Sequence, residues 1–262
     1  MTDQNVIYDV GVNDGRDSEY YLHRGFKVVG IEASPPLADA LRRKFAREIK
    51  DGRFTLLNVG IAEQEGELDF WVCESRSEWS SFLREVASRD GSAHHVAKVR
   101  TTTFDKVLQE HGVPYYCKID IEGHDWLCLK GMTRETRPRY TSIEMSYQSG
   151  DRDLTLLKGL GYTRFKLVSQ VSFAQPWPLM VSINPRLPYR LRRMSLNAEG
   201  RIRGKSSVDG WTFDRGSSGP FGEDTPGPWR NLDYVHGLWT KLHELNRDGR
   251  LLGSWFDVHA TA

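Results

Sequence analysis

Four polar side chains stand where apolar runs of the chain come to an end. "YYCKIDIEGHDW" (115–126) leads into Asp120, Glu122 and His124, and "YTSIEMS" (140–146) leads into Glu144. Groups of this kind at strand ends can do two sorts of chemistry. A histidine whose pKa lies near neutrality, or one of the carboxylates, can take a proton from a reacting hydroxyl. Alternatively, Asp120 and Glu144 can hold a divalent cation such as magnesium, which lowers the hydroxyl's own pKa while substrate oxygens complete the shell. Only two or three protein ligands are visible for such an ion, so the proton acceptor is preferred. Asp120 has a strong case, because a charge following "YYCKI" is costly to bury without a partner. Glu122 with Gly123 could instead shape a turn, His124 could start a helix, and Glu144 could pair with an arginine.

A second set lies near the N-terminus. "VIYDVGVNDGRDSEYYL" (6–22) runs an apolar strand through a glycine-punctuated turn into a helix. A dinucleotide fingerprint places its glycines as G-x-G-x-x-G, so that backbone can pack against a pyrophosphate. Counted from Gly11, this chain has Asn13 and Arg16 at the second and third of those positions, and each removes room for the pyrophosphate. What stands there is D-x-G-x-x-x-G, with Asp9, Gly11 and Gly15. An acidic residue before the turn suits a ligand carrying an ammonium group. Glu32, 23 residues after Asp9 at the end of the next strand, can accept hydrogen bonds from both ribose hydroxyls. Together these features point to a nucleoside without a diphosphate, S-adenosylmethionine above all.

The elements that must position these residues alternate in type. Strands are expected at 5–11, 27–32, 53–61, 115–121, 140–146 and 162–170, with helices over "DSEYYLHRG", "PPLADALRRKFAREI" capped by Ser34, "FDKVLQEHG", 124–131 and "DRDLTLLKGLG". "ELDFWVC" (67–73) and "AKVRTTTF" (97–104) add β segments around a polar loop. Strands spaced by helices predict an α/β doubly wound sheet. The organisation expected is a core over 1–174, an irregular Trp-, Arg-, Gly- and Pro-rich insertion plus helix over 175–250 acting as a substrate lid, and a final core strand in 251–262. Val235, Leu238, Trp239, Leu242 and Leu245 form the helix's apolar stripe. Asp257 and His259 alternate along the last strand and are expected to be edge-facing polar residues.

Composition excludes several classes. With 262 residues, 39% hydrophobic, 27% charged and a net charge of +1, the chain is ordinary for a globular protein and favours neither nucleic acid nor a membrane surface. No window approaches a membrane span, and "MTDQNVIYDV" lacks the regions of a cleaved signal. Cys73, Cys117 and Cys128 form no C-x-x-C pair, and Cys117 reads as a buried, inert thiol. A cytoplasmic location is the expectation.

Six stretches then occur in a telling order: "DVGVNDG", "VVGIEASP", "NVGIAEQEGELDFWV", "SSF", "TTTFDKVL" and "KIDIEGHDWLCLKGM". Over roughly residues 6 to 146 the chain resembles FkbM-type methyltransferases, and "KIDIEGH" followed by "LKG" is the most specific element. The resemblance implies a class I, Rossmann-like methyltransferase fold with a mostly parallel seven-stranded sheet. It also implies S-adenosylmethionine-dependent O-methyl transfer to a hydroxyl of a sugar, glycolipid or other natural product. By that similarity, Asp9, Gly11, Asn13 and Gly15 surround the methionine end of the cofactor. Glu32 and Ala33 flank the ribose, Asn58 and Val59 the adenine, and Ser81 closes over the site. Asp120, counted with the cofactor residues as well, joins Glu122, His124 and Glu144 as a catalytic candidate.

The other expectations concern partners. The acceptor is a small molecule bearing a hydroxyl (a sugar, a glycolipid or a polyketide-like product), and neither nucleic acid nor a membrane span is expected. Trp211 and Trp229 are candidates for a binding wall, Glu223 and Asp224 for pocket residues, and the basic run 186–205 for a loop that meets an anionic group or solvent. A non-catalytic glycan-recognition module on the same fold is the alternative, and a nicotinamide oxidoreductase is disfavoured by the broken glycine spacing.

Overall fold

The computed structural model describes residues 2–146, 148–183, 188, 190–191, 194, 202–214, 216–247 and 255–262. The chain forms two compact units, Met1–Arg139 and Tyr140–Ala262. The main sheet has seven strands, four in the first unit and three in the second, and most of its pairings are parallel.

The first unit opens with β1 (Thr2–Val10), α1 (Arg16–His23), β2 (Lys27–Ile31), α2 (Pro35–Lys44), α3 (Ala46–Lys50) and β3 (Phe54–Leu57). Next come β4 (Gly60–Ile61), β5 (Gly66–Cys73), α4 (Arg84–Ala87), β6 (His94–Thr102), α5 (Phe104–His111), β7 (Val113–Ile119) and α6 (Asp125–Lys130). Its share of the main sheet runs β3-β2-β1-β7, all parallel. Ile7, Tyr8 and Val10 of β1 and Tyr116 and Ile119 of β7 are buried, as strands covered on both faces require. The two added β segments are present as β5 and β6, antiparallel to each other, with β4 completing a three-stranded sheet.

Two boundaries differ from expectation. The single helix expected after Ser34 is two, because Phe45 leaves helical geometry (φ −102°, ψ 24°) where its ring stacks on Phe54, 4.5 Å between centroids. Ser34 does not cap with its side chain; its backbone N–H is donated to Glu32 Oε1 at 2.8 Å. The strand expected over 53–61 also divides, since the chain passes from the main sheet to the small one at Asn58 and Val59.

The second unit comprises β8 (Tyr140–Glu144), α7 (Gly150–Gly159), β9 (Arg164–Ser169), α8 (Pro178–Ile183), β10 (Ser207–Val208), β11 (Trp211–Thr212), α9 (Leu232–Arg247) and β12 (Phe256–Thr261). Its strands run β8-β12-β9, with β12 antiparallel to both neighbours. Asp257 and His259 are therefore interior rather than edge-facing, and both are buried. Gln170 donates to Asp257 at 2.8 Å, and burial next to Lys166 pushes the His259 ring down to about 3, so that it is neutral. Val235, Leu238, Trp239 and Leu242 form the buried stripe of α9; the side chain of Leu245 lies outside those described. Most of the basic run 186–205 likewise lies outside the described residues. All three cysteines are free and buried. No helix among the described residues is long and apolar enough to cross a membrane.

Two glycines test the packing of the first unit. Both adopt left-handed backbone, φ +84° at Gly11 and +85° at Gly25. Gly25 closes α1 with paired backbone bonds, Gly25 N–H to Leu22 and Phe26 N–H to Tyr21, and has open space around it. At Gly11 a Cβ would lie 1.8 Å from the Asp120 carbonyl oxygen. Gly25→Ala should cost about 1 kcal/mol, the left-handed penalty alone. Gly11→Ala should cost upwards of ~3 kcal/mol or abolish folding, because β1 and β7 must part to admit the methyl. Urea unfolding of the two variants checks this, and equal costs would contradict the close approach.

Candidate functional site

Parallel pairing sets the ends of four strands in a row. Val10 lies opposite both Ile31 and Ile119, and Ile31 opposite Leu57. The residues that follow, Gly11, Glu32, Asn58 and Asp120, therefore emerge side by side. Backbone bonds continue past the strands: Gly11 N–H donates to Ile31, Glu32 N–H to Leu57 and Asp120 N–H to Val10, all at 2.9–3.0 Å. Ligands of such sheets bind beyond the carboxyl ends of their strands.

Glu32 is buried here, and each of its oxygens accepts one backbone N–H, from Asn13 at 2.9 Å and from Ser34 at 2.8 Å. Burial pushes its carboxyl up to about 7, against the pull of those two donors. A carboxylate has about four acceptor sites, so two remain for hydroxyl donors. Asn58 donates to the backbone carbonyls of Glu32 at 2.8 Å and Ala33 at 3.2 Å, fixing the wall between the β2 and β3 ends. Asn13 has left-handed backbone (φ 51°), and its Oδ1 accepts from the Ser77 hydroxyl at 2.8 Å. Gly15 is left-handed as well and sits tightly over Phe45.

Asp9 is placed differently from the expectation that it meets a ligand's ammonium. It is fully buried, and the ammonium beside it is the chain's own: Lys118 Nζ lies 3.3 Å from Asp9 Oδ1. Ser18 donates to Asp9 Oδ2 at 2.6 Å. Lys118 also donates to the Gly11 carbonyl at 2.8 Å and lies 3.6 Å from Asp120 and 4.0 Å from Asp17. Burial alone would favour a neutral amine, but Asp9, Asp120 and Asp17 outweigh it and hold the ammonium well above the ordinary lysine value. Lys118, Asp17 and Ser18 escaped the sequence reading. The available signal was a lysine inside the apolar run "YYCKI"; its register with Asp9 across the β1–β7 pair shows only in the structure.

The turn after β7 gathers the other candidates. Asp120 keeps 28% of its side chain exposed. Glu122 is left-handed (φ 52°) and pairs with Arg89 at 3.2 Å. Burial, and next the Asp120 charge, push the Glu122 carboxyl up to about 8. His124 precedes α6 and stacks on Phe82, 5.4 Å between centroids and 8° between planes. Asp125 accepts the N–H groups of Ile121 and Gly123, both at 2.9 Å, and so ties the turn to the start of α6. Ser81 is buried, donates to the Glu122 carbonyl at 2.9 Å and accepts from the Leu83 N–H at 3.0 Å. Its hydroxyl thus braces the turn from the loop between β5 and β6.

Glu144 ends β8 in the second unit, opposite Asp257 in register. Within that unit, Glu223 accepts from Tyr140 and from Trp229 Nε1, each at 2.9 Å, and Asp224 pairs with Lys205 at 3.1 Å. Trp229 lies against Tyr140 and under Lys166, whose Nζ is 4.3 Å from the ring centroid. Trp211 stands in the short β10–β11 hairpin.

Comparison with known proteins agrees with the sequence motifs. The family model described as the methyltransferase FkbM domain matches residues 9–164. A probable ribosomal RNA small subunit methyltransferase A from Methanospirillum hungatei is 38% identical over 52 residues, a stretch that spans 20% of this chain and 20% of that protein. Among solved structures, the methyltransferase FkbM from Methylobacillus flagellatus aligns with a TM-score of 0.44 and 19% identity, covering 64% of this chain and 40% of that one. An O-methyltransferase from Bacillus cereus, solved with S-adenosylhomocysteine, aligns with a TM-score of 0.37 and 16% identity, covering 64% of this chain and 68% of its own.

The raised Glu32 carboxyl has a measurable consequence for stability. The folded state holds this proton up to about pH 7 and the unfolded chain only to about 4.5, so the folded state binds more protons between those values. Its contribution to stability is complete below pH 4.5 and is lost as pH rises through 7, by up to about 3 kcal/mol. Urea midpoints of wild type and Glu32→Gln, taken from pH 5 to 8, should therefore shift in the variant's favour with rising pH. Parallel curves would contradict the buried carboxyl.

Proposed function

The chain belongs to the FkbM methyltransferase family, a family of S-adenosylmethionine-dependent enzymes, and on that premise we propose that it methylates a hydroxyl of a sugar, glycolipid or other natural product. The observation that carries the cofactor assignment is the buried Glu32 carboxylate, oriented by two backbone N–H groups at the open end of a parallel sheet. A nucleoside ribose matches it: two neighbouring hydroxyls meet two remaining acceptor sites. In this reading Glu32 and Ala33 flank the ribose, and Val59, with the wall fixed by Asn58, flanks the adenine. The backbone of Gly11, Asn13 and Gly15 surrounds the methionine end, and Asp9 supports that turn from within, through Lys118 and Ser18. When bound, S-adenosylmethionine supplies an electrophilic methyl group on a sulfonium centre.

The chain's own task is then to hold the acceptor oxygen in line and to take its proton. Positioning supplies much of the rate, because the sulfonium is a good leaving group. Glu122 is assigned as the proton acceptor. Its carboxyl titrates near the operating pH, it is aimed by a left-handed backbone and Arg89, and it adjoins the part-exposed Asp120. His124, stacked on Phe82, closes the turn that presents both acids, and Ser81 braces that turn at the Glu122 carbonyl. A divalent cation that lowers the hydroxyl's own pKa is the lesser assignment, which loss of transfer on chelation and its recovery with magnesium would favour and unchanged transfer would exclude.

Transfer of labelled methyl from S-adenosylmethionine to a panel of sugars, glycolipids and polyketide alcohols tests the proposal, with an ether product expected. Label on amines only, or on nothing, would overturn it, and the second result would favour a non-catalytic recognition module. With an accepted substrate, kcat/KM should rise with pH through a midpoint near 8 and level off above it, since only the ionised Glu122 can accept the proton. Glu122→Gln should lose ~10² or more in rate and lose that limb as well. A variant that retains the limb would move the proton acceptor elsewhere.

A further inference from the structure

We propose that Lys118 is a positioning residue for the cofactor turn, its buried ammonium fixing the Gly11 carbonyl and the Asp120 carboxylate relative to each other. This rests on the cofactor reading above. Lys118 lies inside β7 with 4% of its surface exposed, and four oxygens converge on its one nitrogen. They come from three separate segments: Asp9 and the Gly11 carbonyl from β1 and its turn, Asp17 from the first turn of α1, and Asp120 from the end of β7. The Gly11 carbonyl takes the hydrogen bond at 2.8 Å, and the three carboxylates are ion-pair contacts at 3.3–4.0 Å, so groups on all three segments hold the ammonium at one point.

Stability alone does not account for such an arrangement. Buried ion clusters generally contribute no more than well-packed apolar groups of the same volume. To neutralise Asp9, one contact would suffice. The shortest contact instead goes to the Gly11 carbonyl at 2.8 Å, at the first residue of the turn. Another goes to Asp120, which is 28% exposed whereas Asp9 is fully buried. The cluster thus leads from the interior to the strand ends, and Lys118 links the two edges that a ligand there would meet. Cofactor affinity should be sensitive to its loss well beyond any change in folding.

The test separates positioning from mere neutralisation. Lys118→Met leaves three carboxylates without their cation, so a loss of folding would mask its effect on binding. The double variant Asp9→Asn/Lys118→Met removes one buried charge of each sign, keeps an acceptor for Ser18, and should unfold at a urea midpoint close to that of wild type. Binding of S-adenosylhomocysteine is then followed by calorimetry for wild type and the double variant. We expect the double variant to bind at least about tenfold more weakly, toward the ~10²-fold that a misplacement of 1 Å can cost. Its KM for S-adenosylmethionine should rise in step. Wild-type affinity in the double variant would overturn the positioning role while leaving the cofactor reading intact. Failure of the folded wild type itself to bind would overturn the cofactor reading, and this inference with it.

Discussion

One ammonium group sits where the first unit's segments meet, and the site is built around it. Lys118 is almost fully enclosed, and no lysine remains charged in such a place unless anions surround it. Asp9, Asp17 and Asp120 provide that surrounding, and each arrives on a different element. Satisfying the ion therefore requires β1, α1 and β7 to hold one mutual arrangement. Gly11 belongs to the same constraint from the other side, since its missing side chain lets the β1 turn lie against the Asp120 carbonyl. The chain's own groups thus organise the strand ends.

Around this centre the site separates into two parts. Toward β2 and β3, Glu32 and Asn58 make a wall of oriented hydrogen-bonding groups whose backbone partners leave little freedom. Toward α6, Asp125 ties the Ile121–Gly123 backbone, while Ser81, Phe82, Leu83 and Arg89 brace the turn from the loop after β5. The first part suits recognition of a nucleoside, and the second presents acids with raised proton affinity.

Much of this was legible in the sequence because it depends on local spacing. The altered glycine pattern, Glu32 at the end of the second strand and the order of the family motifs all lie in continuous stretches. The alternation of apolar runs gave the strands and most helices. What stayed hidden depends on pairing across the sheet. Asp9 read as a ligand's counter-ion because its true partner lies 109 residues away, in register on the neighbouring strand. Asp257 and His259 read as edge residues because nothing in their own stretch shows that β12 enters between β8 and β9. The break at Phe45 follows from an aromatic contact with Phe54, which helix periodicity does not register.

Hydrogen–deuterium exchange with and without saturating S-adenosylhomocysteine tests at peptide resolution whether the row of strand ends from Asn58 to Asp120 holds S-adenosylmethionine. Slowed exchange is expected in peptides covering 11–16, 32–35 and 57–60, with the 120–125 turn following, and little change in α7 or α9. Protection confined to other segments, or none at saturation in a folded protein, would contradict it.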